Sequence, residues 1–254
     1  RATPLRFQSH CLRKGLAALR GDGRFGAVRV LDLGWTASLE SLKAHAATLA
    51  EVAASTNLEA VTITVTLRTV AEAIEADRLA GDVAVLQLAV ELDLQRNNIG
   101  PADVAGALRD YNTLTTLNLS HNRLGPGGAA DVAGALRENK TLTTLELGYN
   151  GIGPGGAADV AGALCENTTL TTLDLRWNGI GAAGAADVAG ALRENNTLTT
   201  LNLRFNLIGP GGAANVAGAL RENNTLTTLH LGLNGIGPGG AADVAGAIRE
   251  NTTL

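Results

Sequence analysis

The sequence predicts an α/β solenoid, in which short parallel strands alternate with helices and each unit stacks on the one before it. Three observations predict it. Leu114, Leu142, Leu170, Leu198, Leu226 and Leu254 recur every 28 residues, and the first five each open the block Leu-Thr-Thr-Leu-x-Leu-x-x-Asn. Inside each copy the apolar period changes from two to about four, which separates a strand from a helix. Glycine is 32 of 254 residues while aromatics are 3%, so the interior is built on small aliphatic side chains and a tight turn follows each strand.

Each element can be justified in turn by numbering a copy from its first leucine. In the copy at 114 the apolar positions 1, 4, 6, 11, 19 and 23 are Leu114, Leu117, Leu119, Leu124, Val132 and Leu136, with Asn122 at 9 and Gly128 at 15. Positions 4 and 6 alternate as a strand does, whereas 19 and 23 lie one helical turn apart on the Ala-rich segment Ala129 to Glu138. That helix is entered from Gly-Pro-Gly-Gly. A single unit cannot bury its apolar face alone, so neighbours must stack and their strands line up as one parallel sheet.

The pattern resembles the leucine-rich repeat family, in particular the 28-residue class of ribonuclease inhibitor, Ran GTPase-activating protein and the intracellular nucleotide-binding receptors. The resemblance covers residues 89–254: one short copy that keeps Leu92, Leu94, Asn97 and Ile99, five full copies, and the start of another. It implies a right-handed horseshoe with parallel strands on the concave face and helices on the convex face. Upstream, Val28, Leu31 and Leu33, then Leu58, Val61 and Ile63, keep the leucine triad without the asparagine. Residues 28–88 therefore read as two degenerate repeats, with helices near 39–54 and 67–79. Residues 1–27 carry six basic residues against Asp22, and Leu12, Leu16 and Leu19 share one face of a capping helix over 9–20. The same basic character permits a transit-peptide remnant.

The copies differ from one another at few places. Position 5 reads Asn118, Glu146, Asp174, Asn202, His230; position 7 reads Ser120, Gly148, Arg176, Arg204, Gly232; position 8 reads His121, Tyr149, Trp177, Phe205, Leu233. Position 10 varies too, as Arg123, Gly151, Gly179, Leu207, Gly235, whereas the helix hardly changes. With positions 4 and 6 buried, 5 and 7 must face the open side, because successive strand side chains alternate. Helices are wider than strands, so that side is the concave one, where the resemblance also places partner binding.

Position 8 is the sharpest feature. The chain has two Trp, two Tyr and three Phe, yet Tyr149, Trp177 and Phe205 occupy one column of three consecutive repeats, beside Arg176 and Arg204. Exposed Trp, Tyr and Arg together have the composition of interface hot spots. The candidate partner-binding set is this stripe with Glu146, Asp174, His121, His230 and Leu233. The competing reading is that the aromatics pack on one another or on a terminal extension.

The remaining columns read as scaffold. A repeating asparagine at a turn (Asn97, Asn122, Asn150, Asn178, Asn206, Asn234) caps buried backbone groups of neighbouring coils. Asp131, Asp159, Asp187 and Asp243 with Arg137, Arg193, Arg221 and Arg249 form a solvated convex face. Asn-x-Ser/Thr sequons at Asn118, Asn139, Asn167, Asn195, Asn223 and Asn251 would crowd glycans at one corner, and with only Cys11 and Cys165 present they favour a cytoplasmic protein, or an organellar one after removal of a transit peptide, over a secreted one.

Catalysis is not expected. His121 and His230 lie four repeats apart, about 19 Å at strand spacing, so no metal bridges them, and Gly-Pro-Gly-Gly lacks the Lys-Ser/Thr of a phosphate loop. No cofactor is expected. Cys165 replaces a convex arginine and should be an exposed thiol. The mild net charge of −4 does not point to nucleic acid. No apolar stretch reaches the ~20 residues of a membrane span. The open concave positions hold Arg96, Arg123, Arg176 and Arg204 against Asp93, Glu146 and Asp174, which argues against a highly basic ligand. Leu254 starts a new copy, so this end is expected to meet further chain or a partner. The expected function is non-catalytic binding of a protein on the concave face. The alternatives are a GTPase-activating protein of the Ran-activator type, or the ligand-sensing repeats of a larger intracellular receptor.

Overall fold

The computed structural model describes residues 30–37, 60–68, 86–97 and 113–254, with single positions 40, 43, 72, 75, 76, 78 and 108. The expected capping helix over 9–20 lies outside them. The chain divides into two compact units, Arg1–Asp93 with Tyr111–Thr116, and Leu94–Asp110 with Leu117–Leu254.

In the first unit, β1 (Val30–Ala37), β2 (Ala60–Leu67) and β3 (Leu86–Asp93) run parallel. Leu31 faces Val61 as the leucine triads align them, but Val61 faces Leu86, and it is Leu67 that faces Leu92. β2 and β3 pair over seven consecutive residues in this register. It differs from the leucine alignment by an even number of residues, and an even slip leaves every side chain on its own face. Leu67 and Leu92 are both buried. Positions 40 and 43 are helical, as are 72, 75, 76 and 78, inside the two segments where helices are expected.

After β4 (Leu114–Asn118), which contributes to both units, the second unit alternates α1 (Gly125–Glu138), β5 (Thr144–Glu146), α2 (Gly153–Glu166), β6 (Thr172–Asp174), α3 (Gly181–Glu194), β7 (Thr200–Asn202), α4 (Gly209–Glu222), β8 (Thr228–His230) and α5 (Gly237–Glu250). The strands pair parallel and in register: Glu146 faces Asp174, Asp174 faces Asn202, and Asn202 faces His230. Equal copy lengths therefore place each sequence column in one line across the sheet. Leu117, Leu119, Leu145, Leu147, Leu173 and Leu175 are fully buried, as position alternation requires.

Each of α1 to α4 buries one stripe, in α2 Gly156, Ala157, Val160, Ala161, Ala163 and Leu164. The small residues let helices approach closely. A Cβ on Gly184 would stand 2.9 Å from Ala157 Cβ and 3.2 Å from Pro154 Cα of the preceding helix, so only glycine fits there. None of these five helices has a side-chain N-cap. The next repeat supplies a carbonyl instead: the Gly153 amide donates to Asn178 O at 3.0 Å and that of Gly181 to Asn206 O at 2.9 Å.

The asparagine column at position 9 behaves as expected. Asn178 Nδ2 donates to Leu147 O and Leu175 O, both at 2.9 Å, and its Oδ1 accepts the Asn150 amide at 2.9 Å. The same Oδ1 also accepts the Ile152 amide at 3.5 Å, and the donor bonds repeat through Asn122, Asn150 and Asn206. A second ladder stands at the sequon positions. Asn167 Nδ2 donates to Leu136 O and Asn139 O of the preceding repeat, while its Oδ1 accepts the amides of Thr169 and Leu170. Asn139, Asn167, Asn195 and Asn223 are at most 6% exposed, which withholds these amides from glycan attachment in the folded chain. Their role is to end one helix and start the next strand.

On the helix face the arginines pair with glutamates of the next repeat, Arg137 with Glu166, Arg193 with Glu222 and Arg221 with Glu250, each at 3.1 Å. Cys165 breaks this row.

Candidate functional site: an aromatic ladder on the strand face

The in-register strands bring the varying columns together on one face of the second unit. At position 8 the rings form a continuous stack: His121 on Tyr149 at 4.1 Å between centroids, Tyr149 on Trp177 at 5.2 Å, and Trp177 on Phe205 at 4.0 Å, with 14–18° between planes. The reading that the aromatics pack on one another is thus realised, with His121 as a fourth member. They remain accessible all the same, since Tyr149 is 38% and Trp177 43% exposed.

The backbone beneath the stack is left-handed. His121, Tyr149, Trp177, Phe205 and Leu233 all have φ between 56° and 61°, a conformation that costs an L-residue on the order of 1–2 kcal/mol. Neighbouring repeats hold it in place: the Tyr149 amide donates to Arg176 O and that of Trp177 to Arg204 O, both at 3.0 Å. Position 10 is left-handed too. Gly151, Gly179 and Gly235 meet that requirement without a Cβ, whereas Arg123 and Leu207 adopt it at φ 58°. Nothing in the alternation of apolar residues announces this strain; the glycines that fill position 10 in other copies are the signal for it.

Position 7 lies open at Arg204 and Gly232, as expected, but not in the first two full copies. Ser120 and Gly148 are buried. Gly148 is covered because Arg176 lies across it, with Arg176 Cγ 3.1 Å from where a Cβ would be. Arg204 leans the other way, over Gly232 at 3.5 Å, so the two guanidinium groups diverge. Arg176 Nε lies 3.2 Å from Asp174 Oδ2, an ion-pair distance without hydrogen-bond alignment. Asn202 Nδ2 donates to the same Asp174 oxygen at 3.1 Å. Arg204 has no acidic partner among the described residues; its Cζ stands 5.8 Å from the Phe205 ring centroid, within cation–π range. Glu146 and Asp174 are half-buried neighbours on this face, and His230 is exposed at its end.

Two depressions flank the ring row. One, of about 450 Å³, lies among Arg176, Arg204, Asn202 and His230, with the rings of Trp177 and Phe205 as a wall. The other, of about 230 Å³, shares those two rings and is otherwise lined by Gly179, Leu207 and Leu233. Leu207 is 78% and Leu233 62% exposed. Among the described residues no cluster of side chains could hold a metal ion, and no helix is long and apolar enough to cross a membrane.

Cys165, on the opposite face, is exposed as expected. Burial of the sulfur, and then Glu194 and Glu166 beside it, push its thiol above the ordinary range, which disfavours the reactive thiolate.

Comparison with known proteins agrees with this architecture. The family model for the Leucine Rich repeat matches residues 112–133, 138–161, 166–189, 194–217 and 222–245. A search of the curated proteins returns no match. Among solved structures, the chain is similar to leiomodin-1 Actin-Binding Site 2 (25% identity, 59% of this chain and 86% of that one, TM-score 0.51). It is also similar to the tropomodulin C-terminal domain of Caenorhabditis elegans (14% identity, 59% and 92%, TM-score 0.51), and to a chain of the yeast Rad7 and Elc1 complex (12% identity, 98% and 78%, TM-score 0.50). With five matched repeats carried by in-register strands and stacked helices, the chain belongs to the leucine-rich repeat family.

Proposed function

We propose that this chain is a non-catalytic scaffold that binds a protein partner on its strand face, over the ladder of His121, Tyr149, Trp177 and Phe205. The observation that carries the reading is that large rings, rather than Gly or Asn, occupy the left-handed position 8 and remain partly exposed. Residues held in a sparsely populated backbone region by their surroundings cluster at binding sites. Helices wider than strands would make this face concave, and the partner would meet Arg176, Arg204, Glu146, Asp174, His230 and Leu233 around the rings.

The likeness to leiomodin-1 Actin-Binding Site 2 makes actin the first protein to try. Monomeric actin, and any protein cross-linked to the chain in an extract of its native source, should be titrated against the immobilised chain. Truncating a hot-spot anchor costs 2 kcal/mol or more, at least about thirty-fold in affinity at 1.4 kcal/mol per decade. Trp177→Ala should show that loss and Arg193→Ala, on the helix face, should not. The opposite pattern would move the interface to the helices and sink the proposal.

A further inference from the structure

We infer that the ladder recognises an extended acidic-apolar segment of its partner: an Asp or Glu side chain, with a bulky apolar residue two positions away. This rests on the strand-face docking reading and adds the chemistry of what docks.

The two depressions share Trp177 and Phe205 as their common wall and so adjoin along these rings. Their linings differ in kind. On the position 7 side Arg176, Arg204, Asn202 and His230 line one depression. The Asp174 carboxylate beside them is already taken by Arg176 and Asn202. Arg204 has no acidic partner among the described residues, and the terminal amino groups of Arg176 make no bond there. Unused guanidinium donors in a shared depression select an anion, and a carboxylate matches the planar fork of an arginine.

On the position 10 side Leu207 and Leu233 stand exposed beside the same rings. Leu207 replaces a glycine of other copies at a left-handed backbone position, and its side chain stands 78% exposed. An apolar partner side chain would cover it. In an extended chain residues i and i+2 point to the same side and lie about 6.6–6.8 Å apart, which lets one segment place its carboxylate on one flank of the rings and its apolar side chain on the other.

The test uses the full chain and five synthetic ten-residue peptides on one Gly-Ser background, carrying Glu-Ser-Phe, Gln-Ser-Phe, Lys-Ser-Phe, Glu-Ser-Ser or phosphoserine-Ser-Phe at the centre. Binding is read by NMR from the Trp177 indole and the position 8 amides, assigned with Trp177→Phe. The Glu-Ser-Phe peptide should bind at least ten-fold tighter than the Gln, Lys and Glu-Ser-Ser peptides. Arg204→Gln should remove the preference for Glu over Gln while keeping that for Phe over Ser, and Leu207→Gly, which relieves a strained position, should do the reverse. Equal binding of the Glu and Lys peptides at the ladder would overturn the acidic-apolar assignment while leaving strand-face docking standing. No shift at the ladder with any peptide would also overturn it, with docking judged separately by the Trp177→Ala titration. Ten-fold tighter binding of the phosphoserine peptide would reassign the site to phosphate and overturn the carboxylate.

Discussion

Trp177 and Phe205 stack with 4.0 Å between their ring centroids and 14° between their planes. Tyr149 covers the other face of the same indole. Trp177 is therefore a packed rung as well as an exposed surface. Seen only as an exposed side chain, it would be expected to contribute little to stability. Aromatic pairs are worth about 0.5–1.5 kcal/mol each beyond the area they bury, so Trp177→Ala should destabilise the chain by about 1–3 kcal/mol in urea titration. Trp177→Phe, which keeps a ring between its neighbours, should recover most of that. Equal midpoints for the wild type and Trp177→Ala would show that the stack contributes nothing.

Asn178 offers a sharper stability test, because it is buried at 2% exposure and its side chain bonds to five backbone groups. Leu147 O also accepts from Asn150, and Leu175 O from Asn206. Asn178→Ala would therefore leave each of these carbonyls one donor but strip the Asn150 amide, and the longer-bonded Ile152 amide, of their acceptor. A buried group left unpaired costs about 1–3 kcal/mol. The expected loss is about 2–4 kcal/mol by chemical denaturation, against less than about 1 kcal/mol for Asn224→Ala on the surface.

Cys165 interrupts a row in which Arg137, Arg193 and Arg221 each reach a glutamate of the next repeat. Those arginines also lie over Gly162, Gly218 and Gly246, while nothing comes within 4 Å of a Cβ at Gly190. Cys165→Arg should fill that gap and face Glu194, raising stability by a few tenths of a kcal/mol, within the range of exposed pairs. The thiol itself should react slowly with a maleimide near neutral pH, since its raised pKa leaves less thiolate. Glu194→Gln should speed labelling, and an unchanged rate would remove Glu194 from the causes.

The last helix, α5, leaves Val244 half-buried and Ile248 44% exposed, where Val216 and Leu220 in α4 are fully buried. Covering that face with one more 28-residue copy should raise the thermal midpoint, because apolar area returns about 25 cal/mol per Å² when removed from water. A chain lengthened in this way that melts at the same temperature would count against an apolar face in need of cover.

The sequence by itself determined the repeat, the strand and helix in each copy, the buried leucines and the asparagine ladder at position 9. All of these follow from periodicity, which acts through local geometry and through the stacking of identical neighbours. It also named the residues of the ladder, because variation within otherwise repeated copies falls on Tyr149, Trp177 and Phe205. Three matters were decided only by the tertiary structure. The pairing of Leu67 with Leu92 depends on backbone register between long strands, to which alternation is blind under an even slip. The burial of Asn167 and its neighbours, legible in the sequence only as sequons, depends on carbonyls that the preceding coil presents. The left-handed backbone under Trp177 is held from the next repeat, whose carbonyl accepts the Trp177 amide. A residue's own preference cannot reveal a conformation that its neighbour compels.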